Sequence, residues 1–171
     1  MIRIILDACV LGDFFSQYFD ASRASRGQAR FTTDTFLSTQ AANEINKIIE
    51  SHRSDRDRAI LGKVVIPPLA LIELVRKWDE MVKERFSPQV LKAAIQQQPD
   101  WLNIASWDSD LLPYFLQVPN SVFIDGVCKS IEWTDAVYPA TALSYGEGNV
   151  VATSDKRLIA LGQAYTKVKF Y

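Results

Sequence analysis

Short strand-like segments alternate with segments of helical pattern along this chain, and the alternation limits the folds that it can adopt. The strand-like segments comprise residues 1–6, 64–66, 102–105, 149–154 and 167–170. The first of them has the length and composition of a buried parallel strand. Helical patterns occupy the intervening stretches, most clearly around 69–85 and 131–145. Strands that alternate with helices predict an α/β fold whose parallel sheet is covered by helices on both faces.

The composition is that of an ordinary globular protein. Apolar residues make up 48% of the 171 residues, and a chain of this length buries about 70% of its unfolded surface as one domain. The net charge of −1 excludes a binder that acts through overall positive charge, although 19 Lys and Arg residues leave room for a local basic strip. Two cysteines without CxxC spacing, and the lack of a long apolar stretch, predict a soluble, cytoplasmic protein without a membrane segment.

Two of the strand-like segments end in an aspartate. Asp7 follows the run 1–6, and Asp155 follows the run 149–154. The carboxyl ends of parallel strands meet at one edge of a sheet, where open α/β sheets bind their ligands. Each aspartate is also a good N-cap for the helix after it, and for either residue alone that alternative is equally strong. Because the aspartates recur at equivalent strand ends, we predict an acidic site at this edge.

Two further acids, both on predicted helices, are candidates for the same site. Asp135 belongs to the segment 131–145, which is apolar on nearly all sides, and a buried carboxylate needs a charge partner, a metal ion or hydrogen bonds. The alternative is that Asp135 caps the start of its helix. Glu73 falls on the polar face of the helix predicted over 69–85, where a solvated glutamate is the default. Its position about one turn after a strand favours the same sheet edge.

Converging carboxylates favour a bound cation. They repel one another, so some would stay protonated unless a positive ion neutralised them. All-oxygen sites suit Mg²⁺ or Mn²⁺, which bind substrate phosphates and activate water. The only histidine, His52, has no partner that would complete a zinc site or a Ser-His-Asp triad, and the sequence has no Gly-rich phosphate loop. Metal-dependent phosphodiester chemistry is therefore the reaction class that fits best.

Four segments, in order along the chain, resemble the PIN domain family. They are LDACVL at 6–11, VIPPLALIEL at 65–74, WTDAVYPATAL at 133–143 and VVATSDKRL at 150–158. The last two are the most specific. The segment at 133–143 is similar to the family's Asp-Ala and Ala-Thr-Ala helix, and the segment at 150–158 is similar to its closing Thr-x-Asp segment.

This resemblance implies a three-layer α/β/α sandwich with a central parallel sheet. It also implies an endoribonuclease that depends on Mg²⁺ or Mn²⁺, like the toxins of VapC-type toxin–antitoxin pairs. The acids that would hold the metal and form the catalytic site are Asp7, Glu73, Asp135 and Asp155. Thr153 would supply a supporting hydroxyl that hydrogen-bonds a carboxylate or a metal-bound water. The partners implied by the resemblance are an RNA substrate, a cognate antitoxin and a second copy in a homodimer.

The sequence departs from the family pattern beside the first aspartate and in the helix of Asp135. Ala8 and Cys9 stand where the family commonly has small polar residues, so we expect Asp7 to lack a hydrogen bond there. Pro139 replaces an aliphatic residue and is expected to bend the helix that carries Asp135.

The predicted domain organisation is a single PIN-like domain over 1–171. The stretch that precedes Glu73 is longer than in compact toxins of this type, which predicts a helical insertion around 16–60. Such an insertion would serve as a substrate clamp, as a partner surface or as an inert addition.

An RNA substrate requires positive charge around the acidic centre. The candidates are Lys156 and Arg157 beside Asp155, together with Arg23, Arg26 and Arg30 in the first predicted loop. For each of them the alternative is an ordinary exposed cation. Lys156 is the strongest candidate because it adjoins a proposed metal ligand.

Two other functions stay open at the level of the sequence. A catalytically silent PIN-like module that binds RNA or protein is favoured by the Ala8–Cys9 departure, whereas retention of all four acids favours the enzyme. A phosphatase on a similar sheet is disfavoured, because Cys9 stands where the haloacid-dehalogenase type has its second aspartate.

Overall fold

The computed structural model describes residues 2–20, 30–54, 62–82, 85–106 and 109–171. In chain order its elements are β1 (Arg3–Leu6), α1 (Ala8–Tyr18), α2 (Thr39–Ser54), β2 (Lys63–Ile66), α3 (Pro68–Arg76), α4 (Trp78–Met81), α5 (Pro88–Gln96), β3 (Leu102–Ile104), a 3₁₀ turn (Ser109–Leu111), α6 (Leu112–Phe115), β4 (Ser121–Ile124), β5 (Val127–Ser130), α7 (Trp133–Ser144), β6 (Val150–Ala152), α8 (Lys156–Ala164) and β7 (Lys169–Phe170). Strands and helices therefore alternate through most of the chain, as the sequence predicts.

Five strands form one sheet in the order β3–β2–β1–β6–β7, and every neighbouring pair is parallel. The prediction of an α/β fold with a parallel sheet is thus confirmed. At the centre, Leu6 of β1 lies opposite Ala152 of β6, and the Asp7 N–H continues the ladder with a 3.0 Å bond to the Ala152 carbonyl. Because the strands run in the same direction, the ends of β1, β2 and β6 lie side by side.

The hydrophobic core forms around the middle strand and the helices next to it. Ile4, Ile5 and Leu6 of β1 are fully buried. Residues of α2 join the same core, since Ile45, Ile48 and Ile49 are buried in it. The described part of the region around 16–60 is therefore packed against the sheet, while residues 21–29 and 55–61 lie outside the described residues.

The helix predicted over 69–85 is interrupted. It ends at Arg76, and α4 begins at Trp78 after Lys77, whose backbone leaves the helical region (φ −110°, ψ 33°). The short α4 lies against α1 at a very close approach. A Cβ atom on Gly12 of α1 would lie only 2.2 Å from the Met81 carbonyl oxygen, so this contact requires glycine.

Residues 118–130, which lie outside the strand-like segments of the sequence, contain a β-hairpin. β4 and β5 pair antiparallel around a turn at Asp125 and Gly126. Both turn residues have positive φ, 52° and 78°, which is the requirement of the tight hairpin turns that Asp-Gly pairs favour.

Among the helices of the described residues, none combines the length and the apolar character that a membrane crossing requires.

Candidate functional site

A cavity of about 400 Å³ lies at the edge of the sheet where β1, β2 and β6 end. It is lined by all four acids selected from the sequence and by nine further residues: Asp7, Glu73, Asp135, Asp155, Ala8, Cys9, Phe36, Lys77, Glu80, Met81, Glu132, Thr134 and Arg157. Asp7 and Asp155 come from strand ends, Asp135 from the first turn of α7 and Glu73 from the second turn of α3. The parallel sheet thus brings together residues that are up to 148 positions apart in sequence.

Asp7 is the most buried of these acids, with 6% of its surface exposed. It occupies the N-cap position of α1, but its side chain makes no capping hydrogen bond. Instead, Oδ2 accepts a 2.6 Å hydrogen bond from the Thr153 hydroxyl and a 3.1 Å bond from the Cys9 thiol. The side-chain capping alternative therefore does not hold for Asp7. Its carboxylate is held by one donor that follows β6 and one donor in the first turn of α1, and it lines the cavity.

The expectation that Asp7 lacks a hydrogen bond from the residues just after it is wrong. The Cys9 thiol supplies one, and its sulfur lies 3.6 Å from the Thr153 hydroxyl oxygen. The same sulfur accepts the Ser154 N–H at 3.1 Å. Burial, and then the charge of Asp7, raise the pKa of Cys9 to about 12, so the thiol keeps the proton that it donates.

Burial also raises the pKa of Asp7, and the hydrogen bonds from Thr153 and Cys9 only partly oppose this. The nearby charge of Asp155 adds to the rise. Any positive charge that enters the cavity therefore stabilises the ionised form of this carboxylate.

Asp155 does cap the helix that follows it. Its Oδ1 accepts the Arg157 N–H at 2.6 Å, while its own N–H donates to the Thr153 hydroxyl oxygen at 3.0 Å. The capping alternative is thus correct for Asp155, and the residue lines the cavity as well. Thr153 joins the two aspartates, because its hydroxyl donates to Asp7 and accepts from the backbone of Asp155.

Asp135 lies in the first turn of α7, where Glu132 and not Asp135 is the N-cap. Its Oδ2 atom is buried and accepts no hydrogen bond, although it lies 2.9 Å from Nη2 of Arg157 as an ion pair. Burial raises the pKa of Asp135 to about 6 in spite of the opposing charge of Arg157. The helix continues through Pro139, which cannot donate the backbone N–H that the Asp135 carbonyl would otherwise accept.

Glu73 lies on α3, where its side chain is half-buried and lines the cavity. The Tyr138 hydroxyl of α7 donates a 3.3 Å hydrogen bond to its Oε2. Burial, and then the charge of Asp7, raise the pKa of Glu73, and Lys77 and Arg76 partly offset the rise. Glu73 and Asp7 are therefore close enough for their charges to interact.

The basic residues selected from the sequence are not all near this cavity. Arg157 lines it, whereas Lys156 is exposed on α8 and does not. Arg30 lines a different cavity, together with Glu44 and Tyr171. Arg23 and Arg26 lie outside the described residues.

Sequence reasoning missed four residues of the site. Lys77 and Glu80 line the cavity, and the helical pattern contained the signal, since both fall on the same polar face as Glu73. Glu132 also lines the cavity, but it is the N-cap of α7 and lies outside the helix, so the helical periodicity of the sequence cannot identify it. The sequence pattern around Tyr138 indicates a core residue. Its hydrogen bond to Glu73 depends on how α3 and α7 pack together, which the sequence does not reveal.

The donor atoms of this cavity suit Mg²⁺ or Mn²⁺, because they are carboxylate oxygens and one of them, Oδ2 of Asp135, is buried without a hydrogen bond. In the described residues, no three acidic, histidine or cysteine side chains are arranged so that they could hold a metal ion as they stand. The position between Asp135 and Asp155 is taken by the Arg157 guanidinium. The chemistry of the donors therefore fits a divalent ion, and the side chains have to move to bind it.

No protein-family model matches this sequence, and no curated protein sequence matches it either.

Proposed function

We propose that this protein is a metal-dependent endoribonuclease that hydrolyses RNA phosphodiester bonds. The observation that carries the proposal is the convergence of Asp7, Glu73, Asp135 and Asp155 on one cavity at the carboxyl edge of a parallel sheet. The order of these acids along the chain, and the segments around them, resemble PIN domains. On this proposal the helices cover both faces of the sheet in a three-layer α/β/α sandwich.

Asp7, Glu73, Asp135 and Asp155 would hold one or two Mg²⁺ or Mn²⁺ ions. A bound ion of this kind polarises a phosphoryl oxygen and makes a bound water a stronger nucleophile. The protein supplies the orientation of the carboxylates: Thr153 and Cys9 fix Asp7, and the Tyr138 hydroxyl fixes Glu73.

Positive charge around the cavity would receive the RNA backbone. Lys77 lines the cavity, and Lys156 is exposed on the turn of α8 that follows Asp155. Phosphate contacts of this kind supply affinity without sequence preference. By analogy with VapC-type toxins, we further propose a cytoplasmic toxin that pairs with a cognate antitoxin and forms a homodimer.

The test is cleavage of mixed RNA by the purified protein in Mn²⁺, with and without EDTA. We expect cleavage in Mn²⁺ and none in EDTA, and a loss of at least about a hundredfold in Asp7→Asn and in Asp155→Asn. Asp79→Asn is the matched control, because Asp79 is exposed and does not line the cavity. Cleavage that survives EDTA, or survives both site substitutions, would contradict the mechanism.

The second candidate is a catalytically silent module that binds RNA or protein. It is favoured by the occupation of the space between Asp135 and Asp155 by Arg157. This candidate predicts that the protein retains RNA or captures a protein partner while neither Mg²⁺ nor Mn²⁺ binds. Metal titration therefore separates the two candidates before any substrate is known.

A further inference from the structure

The Arg157 guanidinium is surrounded by three carboxylates of the acidic cavity. Nη2 lies 2.9 Å from Oδ2 of Asp135 and 3.1 Å from Oδ2 of Asp155. Nη1 lies 3.1 Å from Oε1 of Glu132. One nitrogen atom is thus shared by two of the acids to which the proposed function assigns the metal.

Such an arrangement places a positive group where a bridging cation would lie. Carboxylate oxygens contact Mg²⁺ at about 2.1 Å, so an ion between Asp135 and Asp155 and the Nη2 atom cannot be present together. The guanidinium also does not satisfy its partners fully, because Oδ2 of Asp135 accepts no hydrogen bond. Its pairing with Asp135 is electrostatic and lacks the directional bonding that would lock it in place.

The surroundings of Arg157 allow it to leave. Its side chain is 31% exposed, and the Glu132 side chain with which it pairs is 64% exposed. A rotation toward solvent would break two hydrogen bonds to Asp155, from Nη2 at 3.1 Å and from Nε at 3.5 Å, and the exposed Glu132 side chain could follow Arg157 and keep their ion pair. The cavity holds enough negative charge to favour an incoming cation, since among the residues that the structure describes six acidic side chains line it, together with two basic ones, Lys77 and Arg157.

We propose that Arg157 is a built-in counter-cation that holds Asp135 and Asp155 together in the metal-free protein and that a divalent ion displaces. This inference rests on the proposed function, because it takes the metal site as given. On this inference Arg157 is a positioning residue: it holds the carboxylates of Asp135 and Asp155 in place, and its guanidinium leaves them when the metal binds. The apparent affinity for the metal is then lowered by the fraction of molecules in which Arg157 still occupies the site.

The first test is a calorimetric titration with Mn²⁺ alone, at neutral pH, on the wild-type protein and on Arg157→Gln. We expect Arg157→Gln to bind Mn²⁺ about tenfold more tightly, because no side chain has to be displaced. Lys156→Gln is the matched control: it removes the same charge from the adjacent position, and Lys156 makes no ion pair within the described part of the chain. Asp155→Asn is expected to weaken binding in both backgrounds.

The outcomes separate the two proposals. Tighter binding in Arg157→Gln and not in Lys156→Gln supports the counter-cation. Equal affinities in wild type and Arg157→Gln, weaker binding in Arg157→Gln, or an equal gain in Lys156→Gln would overturn it while leaving the metal site intact. If neither protein binds Mn²⁺, the proposed function fails and this inference fails with it.

A second measurement needs no substitution and so does not depend on how Arg157→Gln folds. The Nε–H of Arg157 donates a hydrogen bond to Oδ1 of Asp155, with the nitrogen 3.5 Å from the oxygen, and the NMR signal of this N–H group can be followed in the wild-type protein as Mg²⁺ is added. We expect the signal to shift toward that of a free arginine, or to exchange with water, in proportion to the bound metal. Saturation with Mg²⁺ that leaves this signal unchanged would overturn the inference.

Discussion

Two arginine–carboxylate clusters in this protein use the same chemical groups but differ in how completely they are hydrogen-bonded. In the first, Asp13 is 1% exposed, and its Oδ1 accepts a 2.8 Å hydrogen bond from Arg85. Its Oδ2 accepts the backbone N–H groups of Phe36 and Leu37. Every oxygen of this carboxylate has a donor. The cluster ties α1 to two later parts of the chain, the backbone at residues 36–37 and the side chain of Arg85.

In the second cluster, three carboxylates share the single guanidinium group of Arg157. The guanidinium pairs with Glu132, Asp135 and Asp155, and one oxygen of Asp135 accepts no hydrogen bond. A saturated cluster stabilises the fold, whereas an unsaturated one stores unfavourable free energy that a ligand can release. The difference favours a stabilising role for the Asp13 cluster and supports the metal-binding role that we propose for the site of Arg157.

We expect the largest change in the free energy of unfolding from a substitution in the saturated cluster around Asp13. Asp13→Ala leaves Arg85 without its closest partner and two backbone N–H groups without an acceptor, so we expect a loss of about 3–5 kcal/mol in the free energy of unfolding. Urea denaturation measures it. The control is Asp34→Ala, which removes a longer contact of 3.5 Å to Arg85 from a partly exposed side chain. That change is expected to lose less than about 1 kcal/mol, and equal losses in the two variants would contradict the distinction.

In the unsaturated cluster, stability should fall as pH rises. The pKa of Asp135 is raised from 3.8 to about 6, so the folded protein holds this proton more tightly than the unfolded chain does. The stabilisation is complete below pH 4 and is lost between about pH 4 and pH 6. We expect this group to lower the free energy of unfolding by about 1–2 kcal/mol across that window in the metal-free protein.

Denaturation of the wild type and of Asp135→Asn at several pH values provides the measurement. The variant should lack this part of the pH dependence, because it has no proton to release. The prediction is contradicted if the free energy of unfolding of the wild type rises from pH 4 to pH 6 relative to that of the variant. That result would show that the charge of Arg157 affects the pKa of Asp135 more than burial does.

Asp7→Asn should stabilise the metal-free protein at neutral pH, although it is expected to abolish activity. Burial raises the pKa of Asp7, so ionised Asp7 opposes folding, and an asparagine of the same shape removes that charge. Thermal unfolding in EDTA measures the effect. If Mn²⁺ binds as proposed, its addition should raise the unfolding temperature of the wild type more than that of Asp7→Asn.

The smallest effect concerns the two thiols. Cys128 is exposed, whereas Cys9 is partly buried beside Asp7 and has a pKa of about 12. Because the thiolate is the reactive form, iodoacetamide should label Cys128 at least about tenfold faster than Cys9. Mass spectrometry of a labelling time course measures both rates in one sample. Comparable rates would mean that the Cys9 thiol does not stay protonated against Asp7.

The sequence predicts the parts of the site that depend on chain direction. Asp7 and Asp155 end adjacent parallel strands, so strand topology alone brings them to one edge. Glu73 follows for the same reason, since α3 begins directly after β2. The positions of these three acids follow from the alternation of strands and helices alone, and the hydrophobic pattern of the sequence predicts that alternation.

Contacts between helices could not be predicted in this way. The pairing of Arg157 with Asp135 depends on how α7 and α8 are oriented beside β6, and no periodicity in either helix encodes it. The hydrogen bond from Cys9 to Asp7 likewise depends on one side-chain rotamer. The hairpin is a different case: Asp125-Gly126 is a recognised turn signal, but each of the strands beside it has only four residues, too few to stand out by their pattern.

The absence of a side chain at Gly12 lets the backbone at Met81 lie close against α1. Met81 lines the cavity, and a methyl group on Gly12 would lie 2.2 Å from its carbonyl oxygen, where ordinary contact begins at 3.4 Å. Any larger residue would act as a spacer and push the wall that carries Met81 and Glu80 outward. The position of this wall of the cavity therefore depends on a residue that carries no charge and does not itself line the cavity.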